Sequence, residues 1–401
     1  MPTPITTDPD GTVIDREQPF ASPYIAMAQG QPIAGGNGWS LWDESNAVPA
    51  IVAAIDGAKT VVNAEYFQIT DAGKGADVTR ALARAASRGV EVNVIADFMS
   101  KVTPPIGSFH RFRSKVEEAG GDVIATSTVP FAPRGIANPA LKHVDHRKVL
   151  TIDGNSAFVG GMNLAKLSDN YHDSMLQMSG VDAARLGVDQ LDRWSRVGGT
   201  VTKTHADAVT AGLDGNPVVP TDPNALKVLA NAPEQQRYDL SNAYIDAIRG
   251  AKDRLWVSSP GYSSQLMISE LKDAAKRGVD VRVVAPGGDP AGLPFINWVG
   301  TSHLKQLTLD GATAYMIPEV LHRKALIADD TAFLSSFNIT DRSRLHDHEV
   351  GIVTTDPLFV KTLANVLASD MDRASKLDPA TVKGFGAWVG DLITQKLKIS
   401  Y

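Results

Sequence analysis

The chain has 401 residues, no cysteine, 43% hydrophobic and 21% charged residues, and a formal net charge of -6. Absence of cysteine excludes disulfides, thiolate metal sites and a cysteine nucleophile. The length allows two ordinary domains or one large duplicated unit with a substantial core, and the acidic balance speaks against nonspecific binding to a polyphosphate backbone.

Residues 1–35 read as an N-terminal extension. Their start, MPTPITTDPDGTVIDREQPF, has neither a basic segment followed by an apolar core nor a run long enough to span a bilayer. The expected location is therefore cytoplasmic or at the membrane periphery, and a secreted form with its signal removed would read the same. Within the extension, Asp8-Pro9-Asp10-Gly11-Thr12 imitates an aspartate-nucleophile phosphatase motif, but no apolar strand precedes it, so it reads as a turn.

From Gly36 onward the chain repeats itself. Ile55-Asp56-Gly57-Ala58-Lys59 returns as Ile248-Arg249-Gly250-Ala251-Lys252, a shift of 193, each preceded by helix-like spacing and followed by a strand-like apolar run. Next come the amphipathic segments DVTRALARAASRG and MISELKDAAKRG, stopped by Gly89 and Gly278 and followed by alternating apolar strands. Gly121 then matches Gly311. Repeating helix-strand units with short glycine turns predict an α/β fold of two homologous halves, each a mixed sheet flanked by helices. The predicted boundaries are 36–199 for the first half, 200–224 for a linker rich in small residues, Gly and Pro, and 225–401 for the second half.

The chemistry-bearing residues repeat too. His146-Arg147-Lys148 and Asp153 are followed by Gly160-Gly161-Met162-Asn163 and by His172-Asp173; His322-Arg323-Lys324 and Asp329 are followed by Ser335-Ser336-Phe337-Asn338 and by His348-Glu349. The shift is 176 at both the first histidine and the last carboxylate. His303, Lys305 and Asp310 satisfy the same short spacing, but no small-small-x-Asn turn follows and the repeat places them on a helix. Between Gly121 and His146 the first half carries 14 extra residues, well placed to wall a cleft and select substrate. A metal reading of His143, Asp145 and His146 leaves the matching lysines unexplained. His172 and His348 are open between support of the site and plain polar residues at strand ends.

A phosphodiester is anionic and resists attack, so its cleavage needs an uncharged nucleophile, cations against the phosphate oxygens and an acid for the leaving alcohol. Two histidines and two lysines supply that set. In a strand, His and Lys two residues apart share one face, so both can point at one phosphate.

The doubled H-x-K-x-x-x-x-D pattern with a downstream asparagine resembles the phospholipase D superfamily, and Gly36-Asn37, AEYFQI, RGVEV and HRKVLTIDGNSAFVGGMN look like its cardiolipin synthase and bacterial phospholipase D branch. The resemblance implies a pseudo-twofold with one active site between the halves, acting without metal or other cofactor. By it, His146 is the nucleophile that forms a phosphohistidine and His322 the acid-base. Lys148, Lys324, Asn163 and Asn338 would bind phosphate, Asp173 and Glu349 would hold the histidine rings, and Asp153 and Asp329 belong to the motif although, physically, they suit ordering a turn. The implied substrate is a phospholipid, its phosphatidyl group passing to water or an alcohol in a monomeric enzyme with peripheral membrane contact. The alternative is a nuclease or other nucleic-acid phosphodiesterase on the same scaffold.

Overall fold

The computed structural model describes residues 38–126, 143–213, 224–287 and 294–383, with isolated positions between and after them. Gly36-Asn37 and most of the 14-residue insertion lie outside the described residues.

Two sheets carry the chain. In the first half the strands are β1 (Trp39–Asp43), β2 (Val61–Tyr66), β3 (Glu91–Ala96), β4 (Asp122–Ala125), β5 (Lys148–Ile152), β6 (Ser156–Gly160), β7 (Tyr171–His172) and β8 (Ser174–Ser179). The second half has β9 (Lys227–Ala232), β10 (Arg237–Tyr238), β11 (Arg254–Ser258), β12 (Asp280–Pro286), β13 (Thr313–Ile317), β14 (Val320–Leu321), β15 (Ala325–Ala328), β16 (Thr331–Ser335), β17 (Glu349–Thr354) and β18 (Ser375–Lys376). The orders are β1-β8-β6-β5-β2-β3-β4 and β10-β9-β17-β16-β15-β11-β12-β13-β18, so the same seven-strand arrangement occurs twice, with a short edge strand added at each end of the second. In each half the three strands joined through helices run parallel and the hairpin strands antiparallel, as the helix-strand repeat requires.

Strands β2 and β5 are buried along their whole length because helices or the other half cover both faces. The Ala47–Gly57, Lys74–Ser87 and Ser108–Glu118 helices close one face of the first sheet over Ile51, Leu82, Val94 and Phe112. The second half repeats this with Tyr244, Leu271, Val283 and Leu307. A third core joins the halves, where Leu176, Met178 and Leu186 pack with Leu226, Ile327, Leu334, Ile352 and Leu363. The two predicted helix stops hold: the Lys74–Ser87 and Gln265–Lys276 helices end just before Gly89 and Gly278, whose positive φ of 86° and 91° disfavours other residues.

The stretch read as a linker contains the Lys203–Leu213 helix, which packs on the Val181–Arg196 helix. Gly212 permits this, since a Cβ there would meet Ala184 Cβ of that helix at 2.9 Å and the Gly154 carbonyl oxygen of the β5–β6 turn at 1.8 Å. Small residues here serve close backbone approach rather than flexibility. The His303 decoy is indeed helical, inside Pro294–Leu309, with its ring at 3.0 Å from the Tyr262 carbonyl.

Candidate active site

Each motif enters its central strand from the junction between the halves. The His146 amide donates to the His348 carbonyl at 3.0 Å, and the His322 amide donates to the His172 carbonyl at 2.8 Å. Around the second contact, β14 and β7 pair in parallel across the junction, and Asp145 bridges His348 in the same way. The backbone before each histidine is thus stitched to the backbone before the carboxylate of the opposite half.

The side chains cross with it. His146 Nδ1 lies 3.0 and 3.2 Å from the Glu349 carboxylate oxygens, and His322 Nδ1 lies 2.6 Å from Asp173 Oδ2. Each motif is therefore completed by the other repeat, and Asp173 and Glu349 are committed to imidazole nitrogens rather than to substrate. Holding Nδ1 sets the ring and leaves Nε2 for chemistry. Phe67 packs edge-on to His146 with centroids 4.8 Å apart and carries Lys148 Nζ 4.9 Å from its centroid, so His146 and Lys148 share one side of the strand as their spacing predicts. Tyr171 of the first half lies against His322 of the second, with centroids 4.9 Å apart. Lys324 Nζ reaches His322 Nδ1 at 2.8 Å, and each lysine also donates to the carbonyl of its own motif histidine. Asn163 follows the turn after β6 and Asn338 the turn after β16; in both, Oδ1 is buried without a hydrogen-bond partner among the described residues. Unpaired amide groups at such depth are costly unless a ligand engages the side chain.

The lysine ammonium groups and imidazoles are crowded out of water. Burial pushes Lys148 down to about 8 and Lys324 to about 7. Burial and the charges of Lys148, Lys324 and Arg342 hold His146 well below the ordinary imidazole value, and burial with Lys324 takes His322 to about 3 against the pull of Asp173. A phosphate anion among these groups would favour every protonated form at once. The two carboxylates differ. Burial raises Glu349 to about 7, whereas for Asp173 the opposing charges of His322 and Lys324 outweigh burial and hold it below the usual carboxylate value.

Asp153 and Asp329 are not at this centre. They sit at the opposite end of their strands, about 16 Å along the chain from the motif lysines at ~3.3 Å per residue. Both have positive φ, 52° and 50°. The Asp153 carboxylate accepts the amides of Lys59, Thr60 and Val61 at 2.8–3.0 Å, and Asp329 accepts those of Lys252, Asp253 and Arg254 at 2.9–3.0 Å. Their role corrects the catalytic expectation: they tie the hairpin turn to the start of the neighbouring strand, immediately after the repeated Gly-Ala-Lys.

The motif's middle residue, which spacing alone passes over, anchors each histidine from behind. Arg147 Nη1 meets Asp189 at 2.6 Å, and Arg323 pairs with Asp370, carboxylates from the two helices packed at the junction. His172 bridges Glu44 at 2.9 Å and Asp370 at 2.8 Å, and His348 meets Glu234 at 2.9 Å. Both histidines left open by sequence are thus held by carboxylates at the junction, and their backbone carbonyls receive the His146 and His322 amides. The only sequence signal was that Arg147 and Arg323 match.

The family described as cardiolipin synthase, PLD-like domain, matches residues 51–190 and 244–371, once in each half. The probable cardiolipin synthase YwiE of Bacillus subtilis is 27% identical over 344 residues, covering 82% of this chain and 65% of that protein. Cardiolipin synthase A of Pseudomonas entomophila is 28% identical over 351 residues, covering 84% of this chain and 69% of that one. This chain thus spans about two thirds of the length of such relatives. Among solved structures, phosphatidylserine synthase of Haemophilus influenzae shares the fold with a TM-score of 0.69 at 12% identity, over 90% of this chain and 93% of that one.

Proposed function

This chain belongs to the cardiolipin synthase, PLD-like domain family, and we propose that it transfers the phosphatidyl group of a phospholipid to an alcohol or water through a phosphohistidine. The observation that carries this reading is the crossing of two histidine-carboxylate pairs between the halves, each histidine also bonded by the buried lysine of its own motif. His146 Nε2 attacks phosphorus, Lys148 and Lys324 balance the charge on the phosphate oxygens, and His322 protonates the leaving alcohol. In the second step His322 takes the proton of water or alcohol, whose oxygen forms the new bond as the phosphorus–Nε2 bond breaks. The inequality of the carboxylates supports this division: the ionised Asp173 suits a histidine that cycles through imidazolium. No described helix is long and apolar enough to cross a membrane. Contact with lipid at the membrane periphery and action as a monomer are part of this proposal.

The test is intact-mass analysis of His322→Asn with a p-nitrophenyl phosphodiester, whose leaving group departs without an acid. An acid-labile adduct at His146 is expected, because no base remains to activate water. An adduct only at His322, in His146→Asn, would reverse the roles, and turnover by both variants without adduct would remove the covalent route. Products from phosphatidylglycerol and from single-stranded DNA, in EDTA, separate the lipid reading from the nuclease one.

A further inference from the structure

Asp145, the residue before His146, is held from several sides. Its amide donates to Asp97 at 2.9 Å, its backbone bridges that of His348, and its carboxylate accepts Arg193 Nη2 at 2.9 Å. Glu65, on β2, brings a second carboxyl group into hydrogen-bond contact with the Asp145 carboxylate. Glu65 is fully buried, and neither of its carboxyl oxygens receives a hydrogen bond from a donor among the described residues, although Arg193 Nε lies 3.4 Å and Arg147 Nη1 3.6 Å away. Those guanidinium groups make their shorter contacts elsewhere, Arg193 with Asp145 and Arg147 with Asp189 at 2.6 Å.

Charge leaves a carboxyl group over. Among the described residues, Arg147 and Arg193 face the buried Glu65, Asp145 and Asp189, and the next cation, Arg237, stands 2.8 Å from Asp239 and 3.6 Å from Asp189. Glu234 adds a further acid, 3.7 Å from Arg193 and 2.9 Å from His348. Two carboxyl groups hydrogen-bond to each other only when one carries a proton. Burial and the Asp145 charge hold Glu65 well above the ordinary carboxylate range against Arg147 and Arg193, whereas for Asp145 the pull of Arg193, His348 and Arg147 outweighs burial and holds it below. The proton therefore sits on Glu65. At the matching positions of the second half, counted by the 193 and 176 shifts, Ser258, Leu321 and Ser369 stand in place of Glu65, Asp145 and Arg193. Ser258 donates instead to the Arg323 carbonyl at 3.3 Å, so the acid pair belongs to the His146 motif and not to that of His322.

We propose that Glu65 is a positioning residue for the nucleophile: as a neutral carboxylic acid it donates its proton to Asp145 and so fixes the peptide that delivers His146 to phosphorus. The inference rests on the proposed role of His146 as nucleophile. The proton has two consequences. It lets two acids meet beside the backbone that enters His146, holding the Asp145 side chain between Glu65 and Arg193. It also withholds a second negative charge. Asp145 already draws His146 toward imidazolium, the form without a lone pair on Nε2, and an ionised Glu65 would add to that draw. An acid-base histidine works through its protonated form and has no use for such a pair, which fits its absence from the His322 motif. The proton stays on Glu65 through both steps of the reaction.

The experiment compares the full chain with Glu65→Gln and Glu65→Leu. If the native Glu65 is protonated, folding takes up one proton above about pH 4.3, where the unfolded glutamate ionises, and wild-type stability falls with rising pH by a share that glutamine does not lose. The Tm of Glu65→Gln relative to wild type is therefore expected to rise between about pH 5 and about pH 8, by about 2 °C or more. A difference that stays flat or falls over that range would mean an ionised Glu65 paired with the arginines and would overturn the proposal. On a p-nitrophenyl phosphodiester at neutral pH, Glu65→Gln, which keeps a donor, should hold kcat within about twofold, and Glu65→Leu, which fills the space without one, should lower kcat about tenfold at unchanged KM. Equal kcat in the two variants would make Glu65 a space-filling residue and overturn its positioning role. Wild-type turnover without an adduct at His146 would instead overturn the nucleophile beneath the proposal, and the Tm difference would still decide where the proton lies.

Discussion

The two halves hold their histidines by the same device built from different parts. In the second half the turn residue Ser336 donates its hydroxyl to Glu349, the carboxylate that reaches across to His146. In the first half the same turn position is Gly161, where a Cβ would meet Asp173 Oδ1 at 2.3 Å. The shorter aspartate keeps its carboxylate close to its own backbone, so the turn must give up a side chain; the longer glutamate leaves room for a serine. Electrostatics follow the geometry, with Glu349 raised to about 7 by burial and Asp173 kept below the ordinary value. A duplicated fold has in this way given the two histidines unequal partners, which suits the proposed two-step reaction.

Neutralising the carboxylates tests that inequality most severely. Glu349→Gln and Asp173→Asn should each reduce kcat on a phospholipid by about 10²- to 10⁴-fold, the range expected when a histidine loses its orienting carboxylate. With a p-nitrophenyl leaving group, which needs no acid to depart, the loss in Asp173→Asn should shrink when the first step is followed as a burst, and the loss in Glu349→Gln should not. Equal losses on both substrates would show that the halves are functionally interchangeable.

The turn residues should give an intermediate effect of opposite character in the two halves. Gly161→Ser must displace the Asp173 carboxylate and with it His322, and a shift of about 1 Å at a reacting group costs on the order of 100-fold in kcat. Ser336→Gly removes the hydroxyl that donates to Glu349 and accepts the Val350 amide but adds no bulk to displace the carboxylate, so its cost should stay near tenfold, the equivalent of about 1.4 kcal/mol for a hydrogen bond to a charged group. A larger loss in Ser336→Gly than in Gly161→Ser would refute the packing account.

The smallest effect on chemistry should come from the motif aspartates. Asp153→Ala and Asp329→Ala each lose a carboxylate that accepts three backbone amides and a residue suited to positive φ, which lowers stability by about 1–3 kcal/mol in thermal unfolding. The kcat of the folded protein should change by less than about twofold, and similarly in the two halves. Loss of turnover without loss of thermal stability would return these residues to the chemistry.

Local pattern made much of this molecule readable from residue order alone. The duplication, the helix-strand order, the helix stops at Gly89 and Gly278 and the pairing of His146 with Lys148 on one side of a strand depend on periodicities of two to four residues and on shifts that can be counted. Position along the strand already hinted that Asp153 and Asp329 belong to a turn. Tertiary structure alone decided which carboxylate serves which histidine, because Glu349 and His146 are 203 residues apart and meet only where two sheets pack through a shared core. It also decided that Lys203–Leu213 is a helix packed on the first half, and that Asp189 and Asp370, on helices outside the motif, hold Arg147 and Arg323. A motif shows which groups can do chemistry; the burial that shifts their proton affinities and the neighbour that orients each ring arise only when distant segments exclude water together.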